Sequence, residues 1–379
     1  MIAFKGRMNG LTPTNASPLL GRRWFLLSCV LIAGCGGGTA AAVDGGAAAG
    51  GGSPATAARY ATSPTSAGRI NPRAVPLGDG YLSTRPRVGY VDSCVTHFGS
   101  AGGAATAGPW INSKNKTWNY KAKLAVNGSV AWPSASYKVT TSGGKRKFVF
   151  NDLPINHTTG VFPIAASDPA HRYDQNPNHI AAQHLSWSLT RHPRRAGKTS
   201  CSPLGPIGVL EDGVVLYNAL DAQGRDAGAH EVLDRCAGHP DPSSTYHHHD
   251  VPPCILRRTR NGRSTLVGYA IDGFGIYVQK DKHGAMPTNR QLDACHGKTS
   301  RVLWNGRMRR IYHYVATLEY PYTIGCFRGK PITIAHGGAP PGGGSPPGGG
   351  GPPGASDVPP GGGGPSGGGG PPGGGPPGT

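Results

Sequence analysis

The sequence predicts a mainly β protein with short helices and long loops, a single large domain that contains an internal duplication and is stapled by disulfides. Three observations point there. Apolar alternation flanks two Asp-Gly pairs, Asp212-Gly213 and Asp272-Gly273, and this arrangement is a strong short-range hairpin signal. No long stretch repeats its apolar residues at helical spacing. Six cysteines, Cys94, Cys201, Cys236, Cys254, Cys295 and Cys326, remain after the amino-terminal leader, and an even number suits an oxidising compartment.

The leader comes first. No Asp or Glu precedes Asp44, and "GRRWFLLSCVLIAGC" sets two arginines before an apolar run far shorter than the ~20 residues that span a bilayer. Residues 1–34 therefore read as a lipoprotein-type signal peptide. Ile32-Ala33-Gly34-Cys35 looks like a lipobox, so Cys35 is expected to carry the lipid that anchors the chain to a membrane. Arg22-Arg23 also resembles a twin-arginine export signal, with an ordinary basic leader as the alternative. Gly36 in place of Asp favours, by analogy, the outer membrane of a Gram-negative envelope.

Residues 35–80 are expected to form a Gly/Ala-rich tether, and 337–379, almost wholly Gly and Pro, a disordered tail. Between them 87–334 is long enough for one domain with a sizeable core. The formal charge is +19, with four of the basic residues inside 1–34. Clusters at 145–147, 191–198, 257–263 and 307–310 suit an anionic envelope polymer such as lipopolysaccharide or acidic glycan. A merely solvated basic surface explains them as well. There is no specific nucleic-acid motif.

In the front half "YKAKLAVNGSVAW", "YKVTTSGG" and "KRKFVFNDL" read as strands. Two repeats follow, at about 205–262 and 265–329. Gly208-Val-Leu-Glu-Asp-Gly-Val-Val-Leu-Tyr217 matches Gly268-Tyr-Ala-Ile-Asp-Gly-Phe-Gly-Ile-Tyr277. Leu233-Asp234-Arg235-Cys236 matches Leu292-Asp293-Ala294-Cys295, and Tyr246-His247 matches Tyr312-His313. Each repeat ends in a cysteine, Cys254 or Cys326. The simplest pairing is one disulfide per repeat, Cys236 with Cys254 and Cys295 with Cys326, leaving Cys94 for Cys201. Exchange between repeats is the alternative. Short helical turns are expected at 229–235 and 289–294, and "RIYHYVATLEY" is strand-like.

The histidines of "TYHHHDVPPC" can now be placed. In a strand alternate side chains share a face, so His247 and His249 lie together within reach of one ion, and His248 faces away. If duplication sets the two strands about a pseudo-twofold axis, His313 joins them there. His239 is a reachable fourth ligand, and Asp234 and Asp293 are candidate partners for the ring nitrogens. Imidazoles of this kind suit Zn or Cu. A hydrogen-bonded polar strand beside a disulfide is the structural alternative.

The stretches "YHHHDVPPC", "GYAIDGFGIY", "LDACHG" and "YHYVATLEYPYTIGCFRG" resemble the bacterial YHYH-domain proteins, and "NDLPINHTTGVFPI" and "NPNHIAAQ" fit the same pattern, over about 120–333. The resemblance adds His157, in a Pro154-x-x-His turn, to the metal candidates. One departure is His248, which stands where the signature has its second tyrosine. The family has no established activity, so the resemblance implies a domain and little chemistry.

No nucleophile elbow, His-Glu-x-x-His helix, phosphate loop or dinucleotide fingerprint occurs. Asp212, Asp272 and Glu319 are conceivable paired carboxylates, though two of them lie in hairpin turns. Three readings follow: a lipid-anchored Cu or Zn protein, a metal-dependent hydrolase of the envelope, or a non-catalytic module that binds an anionic polymer.

Overall fold

The computed structural model describes residues 69–99, 104 and 106–334. The signal peptide, Cys35, most of the tether and the Gly/Pro tail lie outside the described residues. No helix of the described residues is long and apolar enough to cross a membrane.

The front of the chain holds five two-residue strands: β1 (Val75–Pro76), β2 (Leu82–Ser83), β3 (Val91–Asp92), β4 (Ile111–Asn112) and β5 (Thr117–Trp118). They pair as β1-β5-β4 and β2-β3. The tether expected to reach residue 80 therefore ends earlier. Val75 and Leu77 are buried with Trp110, Trp118, Ile164 and Tyr322, side chains that the Gly/Ala run cannot supply. The strands expected in 120–132 do not form. The Asn119 side chain accepts from Lys121 N and Ala122 N and turns the chain there, and only isolated bridges remain at Val126 and Val130.

Next comes an antiparallel sheet of β6 (Tyr137–Ser142), β7 (Lys145–Phe150) and β8 (Leu185–Thr190). Alternation along β7 sends Arg146, Phe148 and Phe150 inward and the lysines out. Phe148, Phe150, Trp187 and Leu189 form one core with Ile207, Val209 and Ile276 of the main sheet. Each such fully buried side chain contributes about 1.5–3 kcal/mol.

The main sheet contains β9 (Pro206–Leu210), β10 (Val215–Tyr217), β11 (Gly238–Pro240), β12 (Tyr246–His248), β13 (Ser264–Ala270), β14 (Gly275–Gln279), β15 (Gly297–Trp304) and β16 (Arg307–Val315). Its order is β11-β12-β10-β9-β13-β14-β16-β15. From either edge to the centre the pairings run antiparallel, parallel, antiparallel, and β9 meets β13 antiparallel in the middle. Both expected hairpins form. Each closes through a three-residue loop rather than a bare Asp-Gly pair: Gly213 N donates to Leu210 O and Gly273 N to Ala270 O. Gly213 (φ +86°) and Gly273 (φ +89°) then take the left-handed position that follows a type I turn.

The two halves also match in their polar contacts. Tyr246 OH donates to Asp234 Oδ2 at 2.8 Å, and Tyr312 OH to Asp293 Oδ1 at 3.1 Å. A Cβ on Gly238 would stand 2.3 Å from the Tyr246 ring and one on Gly297 2.5 Å from the Tyr312 ring, so glycine makes room for each. The disulfides join Cys94 to Cys201, Cys236 to Cys254 and Cys295 to Cys326.

The helical turns are shorter than expected. Helix α1 is Ala227–His230, after which Asp174 Oδ2 takes Val232 N and the chain runs extended. A second helix, α2 (Pro253–Leu256), carries Cys254, and at 289–294 only one 3₁₀ turn, Asn289–Gln291, forms.

Tyr314 gives a first test of this packing. Its buried hydroxyl donates to Asp272 Oδ2 at 2.6 Å and accepts from Arg328 N at 2.9 Å. Tyr314→Phe is expected to destabilise the fold by about 1.5–3 kcal/mol, because a buried carboxylate loses a donor. Urea unfolding measures it, and a loss under about 0.5 kcal/mol would show that this bond is absent in solution.

Candidate metal centre

Two features of the main sheet bring three histidines together. His239 on β11 lies directly across from His247 on β12, and His249 follows two residues later on the same face. Their ligand nitrogens lie within 4.8 Å of one another, so the group can hold a metal ion. His239 Nε2 stands 3.3 Å from His249 Nε2, which is 3.2 Å from His247 Nε2. Glu231, just past α1, completes the set: its Oε2 is 3.2 Å from His239 Nε2 and 3.1 Å from His249 Nε2. All four residues are buried.

The Nδ1 atoms explain why these nitrogens point inward. His247 Nδ1 donates to Thr245 O at 3.1 Å and His249 Nδ1 to Asn218 O at 2.5 Å. A proton on Nδ1 leaves the Nε2 lone pair free, so two lone pairs and a carboxylate oxygen face one small volume. Glu231 Oε2 receives no well-aligned hydrogen bond although two ring nitrogens are within 3.2 Å of it. Such contacts are what ligand atoms make around a cation. The separations of His249 from His239, His247 and Glu231, and of His239 from Glu231, are 3.1–3.3 Å, near the ~3.3 Å edge of a tetrahedron with ~2.0 Å bonds, while Glu231 stays more than 4.0 Å from His247. His239 differs, because its Nδ1 faces Asn176 Nδ2 at 3.3 Å.

Electrostatics agrees for Glu231 and His247 and favours a proton on His239. Burial alone would push the Glu231 carboxyl up, but His239 and His249 hold it well below the usual range. Burial, with His239 and His249 beside it, pushes His247 well down, so this imidazole is neutral and able to ligate. Burial opposes the charge on His239, yet the Glu231 carboxylate outweighs it and raises that group. Tyr217 stacks on the His247 ring at 3.9 Å and holds it in place. A cavity of about 780 Å³, walled by Asp174, Asn178, Leu204, Tyr217 and Leu220, opens onto Glu231 and the three histidines.

The other candidates lie elsewhere. His313 does not join the cluster. The sheet order puts β12 and β16 five strand spacings apart, about 24 Å at ~4.8 Å per strand. Its Nε2 meets Gln279 Nε2 at 3.0 Å, and Lys298 lies across from it where His239 faces His247. Asp234 and Asp293 hold no ring nitrogen either. Each accepts backbone amides of its own turn and a tyrosine hydroxyl, because a tight loop leaves those amides otherwise unpaired.

His157 joins a second group, on the opposite face of β12. Its Nε2 and that of His248 each stand 3.1 Å from Asp212 Oδ2, a geometry that can also hold a cation. Burial opposes the Asp212 charge, but the two imidazoles hold the carboxyl well down, and His248 is raised by the same contact despite its burial. His248 thus does for Asp212 what Tyr314 does for Asp272 in the other half. Cys236 and Cys254, also near His157, are joined as a disulfide.

Glu231 was missing from the expected ligands. The signal was present: aligned on Cys236 and Cys295, Glu231 falls opposite Arg290 and His239 opposite Lys298. Every cluster residue except His247 changes between the halves.

Residues 186–290 match the family model described as YHYH protein. The match takes in Glu231, His239, His247 and His249 and ends before the Tyr312-His313-Tyr314 strand; it is shorter than the 120–333 expected. No curated protein and no solved structure matches the chain.

Proposed function

We propose that the YHYH-family domain carried by residues 186–290 binds one transition-metal ion, zinc or copper, through His239, His247, His249 and Glu231, and that the chain does so as a lipid-anchored protein of the cell envelope. The observation behind the metal reading is the buried Glu231 Oε2, without a well-aligned hydrogen bond 3.1–3.2 Å from the Nε2 atoms of His239 and His249, the latter 3.2 Å from His247 Nε2. Imidazole and carboxylate donors serve zinc and copper alike. The leader ending at Cys35 and the three disulfides support an exported, oxidised location. We read the second half as a duplicated copy that kept the scaffold and lost the site, with Lys298, Arg290 and Val315 in place of ligands.

The test is metal content. The protein, made with its disulfides formed and without a His tag, is analysed by inductively coupled plasma mass spectrometry beside His247→Ala/His249→Ala. Near one zinc or copper per chain is expected, and none in the variant. Folded wild type that is metal-free and cannot be reloaded sinks the reading. The cavity on the cluster favours a second reading, hydrolysis by a metal-activated water. In that case a panel of ester, phosphoester and peptide substrates is turned over by the loaded protein, and His247→Ala loses it.

A further inference from the structure

The chain's basic clusters are far apart in sequence, and the fold brings two of them to one place. β8 ends at Thr190, and Arg191, His192 and Arg194 follow it. Across from them the β15–β16 turn presents Trp304, Asn305, Arg307 and Arg309. The two segments are tied together: Trp304 Nε1 and Asn305 Nδ2 donate to Arg191 O at 3.3 and 3.1 Å. Between them lies a cavity of about 430 Å³, none of whose lining residues lines the cavity at the histidine cluster.

Strand register decides which arginines face it. Trp304 pairs with Arg307 and Val302 with Arg309, so Arg307 and Arg309 share the face of the buried Trp304 and Val302. Arg301 and Arg310 pair on the opposite face, beside exposed Leu303 and Met308.

Against Trp304 of the lining packs Arg146, 4% exposed, its guanidinium 4.1 Å from the Tyr269 ring and 5.0 Å from the Trp304 ring. Nη2 donates to Asn305 Oδ1 at 2.8 Å, while the buried Nη1 has no hydrogen-bond partner. Arg191 Nε is likewise buried without a partner. Among the described residues no carboxylate lies within 4.0 Å of Arg146, Arg191, Arg194, Arg307 or Arg309. Guanidinium nitrogens of Arg146 and Arg191 are thus out of water with no acid beside them, which is unfavourable unless an anion completes the site.

We propose that this cavity is a binding site for a phosphate group, held by Arg191, Arg194, Arg307 and Arg309. Guanidinium forks match phosphate oxygens in bidentate geometry, and a few hundred Å³ admits a phosphate or diphosphate on a small head. The group can be that of a soluble ligand or of a lipid.

The full chain, disulfides formed, is titrated with inorganic pyrophosphate by calorimetry. It is also sedimented with phosphatidylcholine vesicles with and without phosphatidylglycerol. Arg307→Ala/Arg309→Ala is compared with Arg301→Ala/Arg310→Ala, which removes the same charge from the other face of the same hairpin. The first is expected to weaken pyrophosphate binding at least tenfold, and the second to leave it within about twofold; all four side chains are exposed, so both variants should fold. Pyrophosphate binding without vesicle binding identifies a soluble ligand. Vesicle binding that needs phosphatidylglycerol and is lost in the first variant identifies a lipid headgroup. Equal loss in both variants, or no binding to either probe, overturns the proposal.

Discussion

Glu231→Gln is expected to lower zinc or copper affinity by more than the ~10–100-fold that partners outside the ligand set carry, whereas His313→Ala leaves it unchanged. Among the described residues Glu231 supplies the only carboxylate oxygen within 3.2 Å of His239 Nε2 and His249 Nε2, so the amide removes both a ligand and the charge that offsets the ion. His313 belongs to the far side of the sheet. Competition against a chromophoric chelator reads both variants. The result to exclude is the reverse, a strong loss in His313→Ala with Glu231→Gln intact, since it would mean that the halves meet as their sequence equivalence suggests. Affinity should also fall as pH is lowered through the His239 pKa. That imidazole is buried, but Glu231 raises its pKa above the ordinary value, and a proton on Nε2 competes with the ion.

The second large effect concerns the disulfide between Cys94 and Cys201. It closes a loop of sequence separation 107, against 31 for Cys295 with Cys326 and 18 for Cys236 with Cys254. In the chain-entropy picture a loop of about 100 residues contributes about 4.7 kcal/mol and one of about 15 residues about 3. Cys94→Ser/Cys201→Ser is therefore expected to cost the most. At about 2–4 °C per kcal/mol its Tm falls by roughly 10–20 °C. The bond also holds the front segment, where Cys94 N donates to Ser202 O and Ser202 N to Asp92 O, against the entry to β9. Calorimetry on the three serine pairs gives the ranking, and a smaller shift for Cys94/Cys201 than for Cys295/Cys326 would contradict it.

The reach of the sequence was uneven, for physical reasons. The hairpins at Asp212-Gly213 and Asp272-Gly273 were legible because turn chemistry and alternation are local. The front region was not. Val126 and Val130 carry strand-forming side chains, but Asn119 turns the backbone at 119–122 before them, and the partners of these residues, Asp234 and Thr159, are non-local. Helix α1 stops at His230 because Asp174, distant in sequence, takes the next free amide.

The site divides the same way. That His247 and His249 share a face follows from the two-residue period of a strand, and the sequence by itself determined it. It also determined a mainly β domain and cysteines enough for three bridges. Which half-site partner each histidine meets was decided only by the tertiary structure. Pairing β9 with β13 at the centre sends the two Tyr-His strands toward opposite edges, so matched residues such as His247 and His313 end up far apart. The chain leaving α1 brings Glu231 to His239 and His249, which no local rule links to it. Periodicity is a property of one strand; convergence depends on the order in which strands pair.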